Sequence, residues 1–158
     1  MSNNLAKRML STSLPVLFFS LGLVLIMGFF MGIPYVLENI SNLRNIVPQV
    51  AFYALGVSYL LIIVFLGDIV SSLKISIFVN ENVKRFKKIG YLLLFNLLIE
   101  YISMIMSGMH GLRFLDLAPG VFITPGMAIY FVAALLCFVI ADSFEEAIKI
   151  KDENNLTI

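Results

Sequence analysis

Long apolar runs divide this chain into four segments, and short polar stretches separate them. The four runs contain no lysine and no arginine, and they are Leu14–Val36, Pro48–Val70, Ile89–Met109 and Phe122–Ala141. A helix that crosses a bilayer needs about 20 mostly apolar residues, because about 30 Å of hydrocarbon is crossed at about 1.5 Å per residue. The pattern therefore predicts four transmembrane helices.

A polar stretch after the fourth run keeps the helical pattern. Ser143–Lys151 contains no glycine or proline, and Phe144 and Ile148 stand about one turn apart. We expect the fourth helix to continue for about two turns beyond Ala141 and to end at the asparagine pair 154–155. The predicted helices then span about residues 14–36, 48–70, 89–109 and 122–150.

Composition and loop length indicate a membrane protein of one domain. The 158 residues are 60% hydrophobic and 13% charged, whereas soluble domains are about 45–50% apolar and about 25% charged. The connections Glu38–Val47 and His110–Gly120 carry turn residues and are too short for a folded domain. The sequence thus predicts an all-α membrane protein in which residues 1–158 form a single domain, an antiparallel bundle of four transmembrane helices.

The distribution of basic residues predicts the orientation. Two of the 11 lysines and arginines, Arg44 and Arg113, lie in the two connections just named. The other nine lie near the N-terminus, in the loop 71–88 and in the tail, and they are Lys7, Arg8, Lys74, Lys84, Arg85, Lys87, Lys88, Lys149 and Lys151. Cytoplasmic loops of membrane proteins are enriched in lysine and arginine. We therefore expect this side, with both termini, to be cytoplasmic.

The loop 71–88 ends in a predicted short basic amphipathic helix, which lies between helices 2 and 3 and runs into the third. Val83 and Phe86 fall on one helical face, Asn80 is the expected N-cap, and Glu81 lies in the first turn, where an acid is favourable. The candidate partner- or lipid-binding residues are Asn80, Glu81, Asn82, Val83, Lys84, Arg85, Phe86, Lys87 and Lys88. Two interpretations stay open. The segment binds a protein, or it anchors at the anionic leaflet, where each lysine or arginine contributes about 1 kcal/mol.

Glu100 is a charged residue in the middle of the third run, where an acid costs about 2.5–3.5 kcal/mol on insertion scales. The apolar runs offer no basic partner, so the candidate partners are the hydroxyls of Ser58, Tyr59 and Tyr130 at matching depth. The candidate polar site within the membrane comprises Glu100, Asn96, Ser103, Ser107, Tyr59 and Tyr130. Either Glu100 is a neutral acid that bridges helices, or it binds a proton or cation in a water-filled cavity.

The remaining polar residues offer little chemistry. Cys137 is the only cysteine and His110 the only histidine, which excludes an internal disulfide, a CxxC pair and a cysteine-rich zinc site. The sequence contains no H-E-x-x-H, no G-x-S-x-G and no glycine-rich phosphate loop. We therefore expect no enzymatic activity, no cofactor and no metal. Asp68 and Asp142, near the cytoplasmic helix ends, are either solvated or bound to the basic segment.

Two stretches resemble a known family. Phe78–Gly90 reads FVNENVKRFKKIG, and in the tail Phe144–Lys149 reads FEEAIK and Glu153–Ile158 reads ENNLTI. Together they resemble the signature of a bacterial family, domain of unknown function 2975. The resemblance implies a small multi-helix protein of the bacterial plasma membrane without an established activity. It also implies a regulatory pairing, because genes of such proteins often lie beside one for a small helix-turn-helix regulator.

These observations favour a non-enzymatic membrane protein that binds a cytoplasmic partner through the loop 71–88 and the C-terminal tail, with that regulator as the candidate. The alternative is a small transporter or channel subunit that uses Glu100 as a proton or cation site. In that case we expect a homo-oligomer, because four helices enclose little volume. The other expected contact is the lipid bilayer. With a net charge of +1, direct nucleic-acid binding is not expected.

Overall fold

The computed structural model describes residues 2–72, 78–108, 115–118 and 121–156. Within them the chain forms four helices and a pair of short strands, which are α1 (Ser2–Glu38), α2 (Leu43–Ser72), α3 (Asn80–Ser107), β1 (Leu115–Ala118), β2 (Val121–Ile123) and α4 (Pro125–Leu156). Lys74, His110, Arg113 and the pair Pro119–Gly120 lie outside the described residues, as do the side chains of Lys7 and Arg8.

The four predicted transmembrane helices are confirmed, since each helix is long and apolar enough to cross a membrane. Each is longer than its apolar run. α1 begins near the N-terminus and contains Pro15 and Pro34, while α2 contains Pro48. Large apolar side chains such as Phe19 and Phe30 are 74% and 72% exposed, as expected where the surroundings are lipid rather than water. The chain is a multi-pass membrane protein.

The continuation of the fourth helix is also confirmed, and it goes further than predicted. α4 extends to Leu156 and includes the asparagine pair at which we expected it to end. Its 32 residues measure about 48 Å at about 1.5 Å per residue, whereas the hydrocarbon layer is about 30 Å thick. Part of α4 must therefore project beyond the lipid.

The strand pair is a difference from the all-α prediction, although it involves few residues. β1 and β2 are antiparallel, with Leu115 opposite Ile123 and Asp116 opposite Phe122. Phe122 was expected to start the fourth helix, but that helix begins at Pro125. The reason is local, because a proline is favourable at the first position of a helix and unfavourable further inside it.

Helices that are neighbours in sequence are also neighbours in space. In the described part of the chain, the extensive helix contacts join α1 to α2, α2 to α3 and α3 to α4. Small residues allow the close approach of the first two helices: a β-carbon at Gly32 would collide with Gln49, and one at Gly56 would collide with Leu25. The result is an antiparallel bundle in which α1 lies along α2.

The two ends of the bundle differ in character. We call the end at which α2 stops and α3 starts the basic end, and the opposite end, with the turn 39–42 and the strand pair, the hairpin end. Asn42 lies directly before α2 at the hairpin end. Its Oδ1 accepts a hydrogen bond from the backbone N–H of Arg44 at 3.2 Å, as an N-cap side chain does. The basic end carries the projecting part of α4 and the basic segment of α3.

Candidate functional site

The basic segment is the start of α3 and not a separate helix, since Asn80–Ser107 is continuous. The prediction that Asn80 is the N-cap is wrong. Val79 occupies that position with extended backbone and makes no side-chain capping bond. Glu81 lies in the first turn as predicted, where it is favourable for the helix dipole.

A polar network centred on the buried Asn82 joins the end of α2 to the start of α3. Asn82 has no exposed surface (0%), and its Nδ2 donates to Ser72 Oγ at 2.7 Å. Its Oδ1 accepts a hydrogen bond from Arg85 Nη1 at 3.0 Å, and Arg85 Nε lies 3.5 Å from Asp68 Oδ2. Ser72 Oγ in turn donates to the carbonyl of Ile69 at 2.6 Å. The network connects the two helices across residues 73–77.

A second set of charges joins α3 to α4. Lys87 Nζ lies 2.9 Å from Glu145 Oε2 and 3.7 Å from Asp142 Oδ1, and Glu145 also faces Lys149 at 3.9 Å. The hydrogen bond from Lys87 holds the pKa of the Glu145 carboxyl below its ordinary value and raises the pKa of the Lys87 ammonium. Both groups lie outside the apolar runs, at the basic end.

These contacts answer the open question about the two interfacial acids. Asp68 is paired with Arg85 and Asp142 with Lys87, so both bind the basic segment. They also keep contact with the surroundings, because their side chains are 50% and 74% exposed. Pairs that are this exposed contribute little to stability, typically less than about 1 kcal/mol. Their main effect is to fix how the helices meet.

The apolar face of the basic segment packs inside the protein. Val83 is buried in a cluster with Ala141 and Ile148 of α4, against which Phe86 and Phe144 also pack. The rings of Phe86 and Phe144 lie 5.5 Å apart in an edge-to-face arrangement, a favourable geometry for aromatic pairs. Val83 and Phe86 therefore hold α3 against α4, and a binding partner would meet other residues.

The residues of the segment that remain exposed are polar, and they are Asn80, Glu81, Lys84 and Lys88. Lys88 also lies over the ring of Phe65 on α2, with Nζ 5.2 Å from the ring centre. On the projecting part of α4, Ile150 is an apolar side chain that is 53% exposed. The exposed side chains of the basic segment are thus charged or polar, and Ile150 is the one large exposed apolar side chain among the described residues of α4 beyond Asp142. Phe78, just before the segment, is 42% exposed.

Glu100 lies against the start of α4. Thr124 Oγ1 donates a hydrogen bond to Glu100 Oε1 at 2.5 Å and accepts one from the backbone N–H of Met127 at 3.0 Å. A β-carbon at Gly126 would lie only 2.8 Å from Glu100 Oε2. Thr124 is therefore the N-cap of α4, and Glu100 orients the Thr124 hydroxyl by accepting its hydrogen bond. A carboxylate is also favourable at the N-terminus of a helix.

This geometry corrects the expected partners of Glu100. In the described part of the chain, none of its hydrogen bonds goes to Ser58, Tyr59 or Tyr130. The two tyrosine hydroxyls instead bond to each other and link α2 to α4. Thr124 could have been recognised, because a threonine followed by proline before an apolar run is an N-cap signature.

The other residues of the predicted membrane site have different surroundings. Ser107 Oγ donates to the backbone carbonyl of Ser103 at 2.6 Å, a bond within α3. Asn96 is fully buried (0% exposed) and Ser58 nearly so (1%). The Asn96 amide and the Ser58 hydroxyl have no hydrogen-bond partner within the described residues. Glu100 and Asn96, both in the predicted site, thus have separate surroundings, since Glu100 bonds to Thr124 and the Asn96 amide has no partner within the described residues.

Arg44 closes the hairpin end, a role that the sequence pattern did not indicate. Its Nε donates to the carbonyl of Ser107 at 3.0 Å, at the C-terminus of α3. Gly108 follows with a positive φ of 65°, and its N–H bonds to the carbonyl of Met104. A cation is favourable at this end of a helix dipole. One of the two basic residues on this side is therefore part of a helix cap.

Comparison with known proteins gives one family. A model described as "Protein of unknown function (DUF2975)" matches residues 12–158, nearly the whole chain. No curated protein and no solved structure matches it. In the described residues, no group of three or more histidine, cysteine, aspartate or glutamate side chains is placed to hold a metal ion.

Proposed function

We propose a function for this chain from the premise that it belongs to the DUF2975 family, as the match over residues 12–158 establishes. That match also confirms the resemblance seen in the sequence. In our proposal the protein is non-enzymatic. It lies in the bacterial plasma membrane and binds a cytoplasmic regulatory protein at its basic end, with a small helix-turn-helix regulator as the candidate.

The observation that carries this proposal is the ordered projection of the basic end. The part of α4 after Ala141 measures about 22 Å at about 1.5 Å per residue, and it is helical to Leu156. Packing of Ile148 and Phe144 against Val83 of α3 supports it. A short polar tail without such packing would not form a stable helix by itself. The protein thus presents a preformed surface, which lowers the entropic cost of binding.

The proposed contact surface consists of the exposed side chains at this end. Lys84 and Lys88 supply positive charge from α3, and Ile150 supplies an apolar contact from α4. An isolated exposed apolar side chain is common on protein surfaces. Ile150, however, lies on the part of α4 that projects beyond the apolar run, and this position supports a role in contact with a protein. The lysines also fit the anionic leaflet, and the two roles are compatible.

Orientation is part of the proposal. The basic end carries the lysines and arginines of α3 and α4, and the excess of basic residues on this side favours the cytoplasm. Both termini then lie inside the cell. A cytoplasmic regulator could reach the projecting part of α4 directly.

Co-purification from detergent tests the proposal. Ile150→Glu should reduce recovery of the cytoplasmic partner at least several-fold, because a charge replaces the apolar contact, without changing the thermal midpoint of the protein. Ile150→Leu is the matched control, since it keeps a large apolar side chain at the same exposed position. A partner recovered equally from wild type, from Ile150→Glu and from a Lys84→Glu/Lys88→Glu double variant would contradict the proposal.

Transport remains a second proposal, because the unpartnered side chain of Asn96 lies on the same helix as Glu100. Asn96 precedes Glu100 by one helical turn and is fully buried. The hydrogen bond between Thr124 and Glu100 supports a structural role for the carboxylate instead. Measurement of proton or cation flux into proteoliposomes distinguishes transport from a structural role of Glu100. Flux through the wild type that Glu100→Gln abolishes would favour transport, and absence of flux through the wild type would contradict it.

A further inference from the structure

Asn96 and Ser58 lie on the facing sides of α3 and α2. The groove between these helices is lined by Ala51 and Ala54 of α2 and by Ile99 and Ser103 of α3. Ser58 follows Ala54 by four residues, and Asn96 precedes Ile99 by three. Residues three or four positions apart share a helical face. Both side chains therefore point into the contact between α2 and α3.

The two side chains also lie at the same depth. Lys88 of α3 meets Phe65 of α2 at the basic end. Seven residues towards the hairpin end, Ser58 of α2 lies opposite residue 95 of the antiparallel α3, next to Asn96. The pair Asp68–Arg85 gives the same register. Ser58 and Asn96 thus face each other across the interface, yet neither polar group is bonded to the other.

We propose that Ser58 and Asn96 together bind a water molecule that bridges α2 and α3 within the membrane. Burial of an unpaired polar group is unfavourable, and two such groups at one level can share one ligand. A buried water typically makes about three hydrogen bonds to groups of this kind. A serine hydroxyl and an asparagine amide offer such a water both donors and acceptors.

The chemistry of the site selects a neutral ligand. Its side chains carry no charge, and they provide two oxygen atoms. Calcium takes about six to eight oxygen ligands, so these two side chains do not make a calcium site. An anion would need a positive charge, and the apolar runs contain no lysine or arginine. A molecule that both donates and accepts hydrogen bonds fits both residues. In a bilayer, water is such a molecule.

Water-selective NMR on the full-length protein in nanodiscs tests the site directly. The side-chain amide protons of Asn96 should show magnetisation transfer from a long-lived water. Asn82 is the matched control, because it is equally buried but its amide bonds to Ser72 and Arg85, so its transfer should be weaker. Transfer at Asn96 that is no stronger than at Asn82 would overturn the proposal.

Thermal unfolding of Ser58→Ala, Asn96→Leu and the double variant gives a second test. If both residues share a water, each single substitution should lower the thermal midpoint. The midpoint of the double variant should then be no lower than that of the less stable single variant. Ser20→Ala is the control, since its hydroxyl donates to the carbonyl of Leu17 on its own helix, and its midpoint should not move. A higher midpoint in either single variant would indicate a dry site, and strictly additive losses would indicate separate roles. Either result would overturn the proposal.

Discussion

The hydroxyl of Thr124 determines how Glu100 is held. It donates to the carboxyl group of Glu100 and accepts the N–H of Met127, so an acidic side chain of α3 is connected to the first turn of α4. Hydrogen bonds arranged in this way strengthen one another in a medium of low dielectric constant. An acid that is costly in lipid thereby stabilises a helix terminus.

We predict that Thr124→Ala lowers the free energy of unfolding by about 1 kcal/mol, the typical effect of losing an N-cap. Glu100→Gln should change it less, because the amide oxygen still accepts the hydrogen bond. Equilibrium unfolding in mixed micelles measures both, and Thr124→Ser serves as the control that keeps the hydroxyl. A Glu100→Gln loss larger than that of Thr124→Ala would show that the charge, and not the cap, stabilises this contact.

Gly108 is required for two reasons at once. Its φ of 65° is left-handed, and a β-carbon there would collide with the guanidinium of Arg44. We predict that Gly108→Ala lowers the free energy of unfolding by about 1–2 kcal/mol from backbone strain alone. Gly22→Ala is the matched control, because open space surrounds that position. It should raise stability by up to about 1 kcal/mol, and equal effects at both glycines would contradict this account.

Individual residues show what a sequence can reveal about a site. The N-cap role of Thr124 follows from local residue order and could have been predicted. Its bond to Glu100 could not, because that contact depends on the register between α3 and α4, which residue order in either helix does not determine. For the same reason depth alone offered the hydroxyls of Ser58, Tyr59 and Tyr130 as candidate partners of Glu100, and it did not indicate Thr124, which donates to the carboxyl group.

At the scale of elements, the start of α3 depends on Asn82. This side chain is fully buried and bonds to Ser72 and Arg85, so its loss leaves both groups with fewer partners. We predict that Asn82→Ala lowers the free energy of unfolding by about 1–3 kcal/mol and speeds amide exchange at the start of α3. Lys84→Ala, exposed in the same turn, should do neither, and equal exchange in both variants would contradict the role of the network.

The tail of α4 gives a second prediction at this scale. Phe144 contacts Phe78 and Phe86, with ring centres 5.3 and 5.5 Å apart. Phe144→Ala should therefore speed amide exchange throughout 143–154, because the projecting helix loses its aromatic support. Ile150→Ala is the control, since that side chain is exposed and should leave exchange unchanged. Uniformly fast exchange in the wild type would show that the tail is not a stable helix.

The elements also show the limit of pattern reading. Apolar periodicity placed Val83 and Phe86 on one helical face, and in the structure both pack in the same cluster. It did not indicate what covers that face, because a pattern records burial and not the identity of the neighbour. The neighbour proved to be α4, so the segment that suggested partner binding stabilises the bundle. The helices themselves were predictable because each has a long apolar run, whereas the β1–β2 pair has only a few residues.

At the scale of the whole molecule, the proposed orientation has a direct test. With Cys137 replaced by serine, a cysteine at Ser41 should react with a membrane-impermeant maleimide in intact cells, because the turn 39–42 is proposed to lie outside. A cysteine at Asn154 should react only after permeabilisation. Both positions are exposed, so access depends on the side of the membrane. Labelling of both in intact cells would contradict the proposed topology.

The sequential packing of the helices has a consequence for biosynthesis. Since α1 packs on α2, α2 on α3 and α3 on α4, each helix after the first contacts the one synthesised just before it. The loops to be closed at each step are short, which keeps their entropic cost low. Assembly can thus accompany insertion by the translocon and need not await the C-terminus. It also means that a chain cut in the turn 39–42 would have to reassemble mainly through the α1–α2 contact, where Gly32 and Gly56 bring the two helices together.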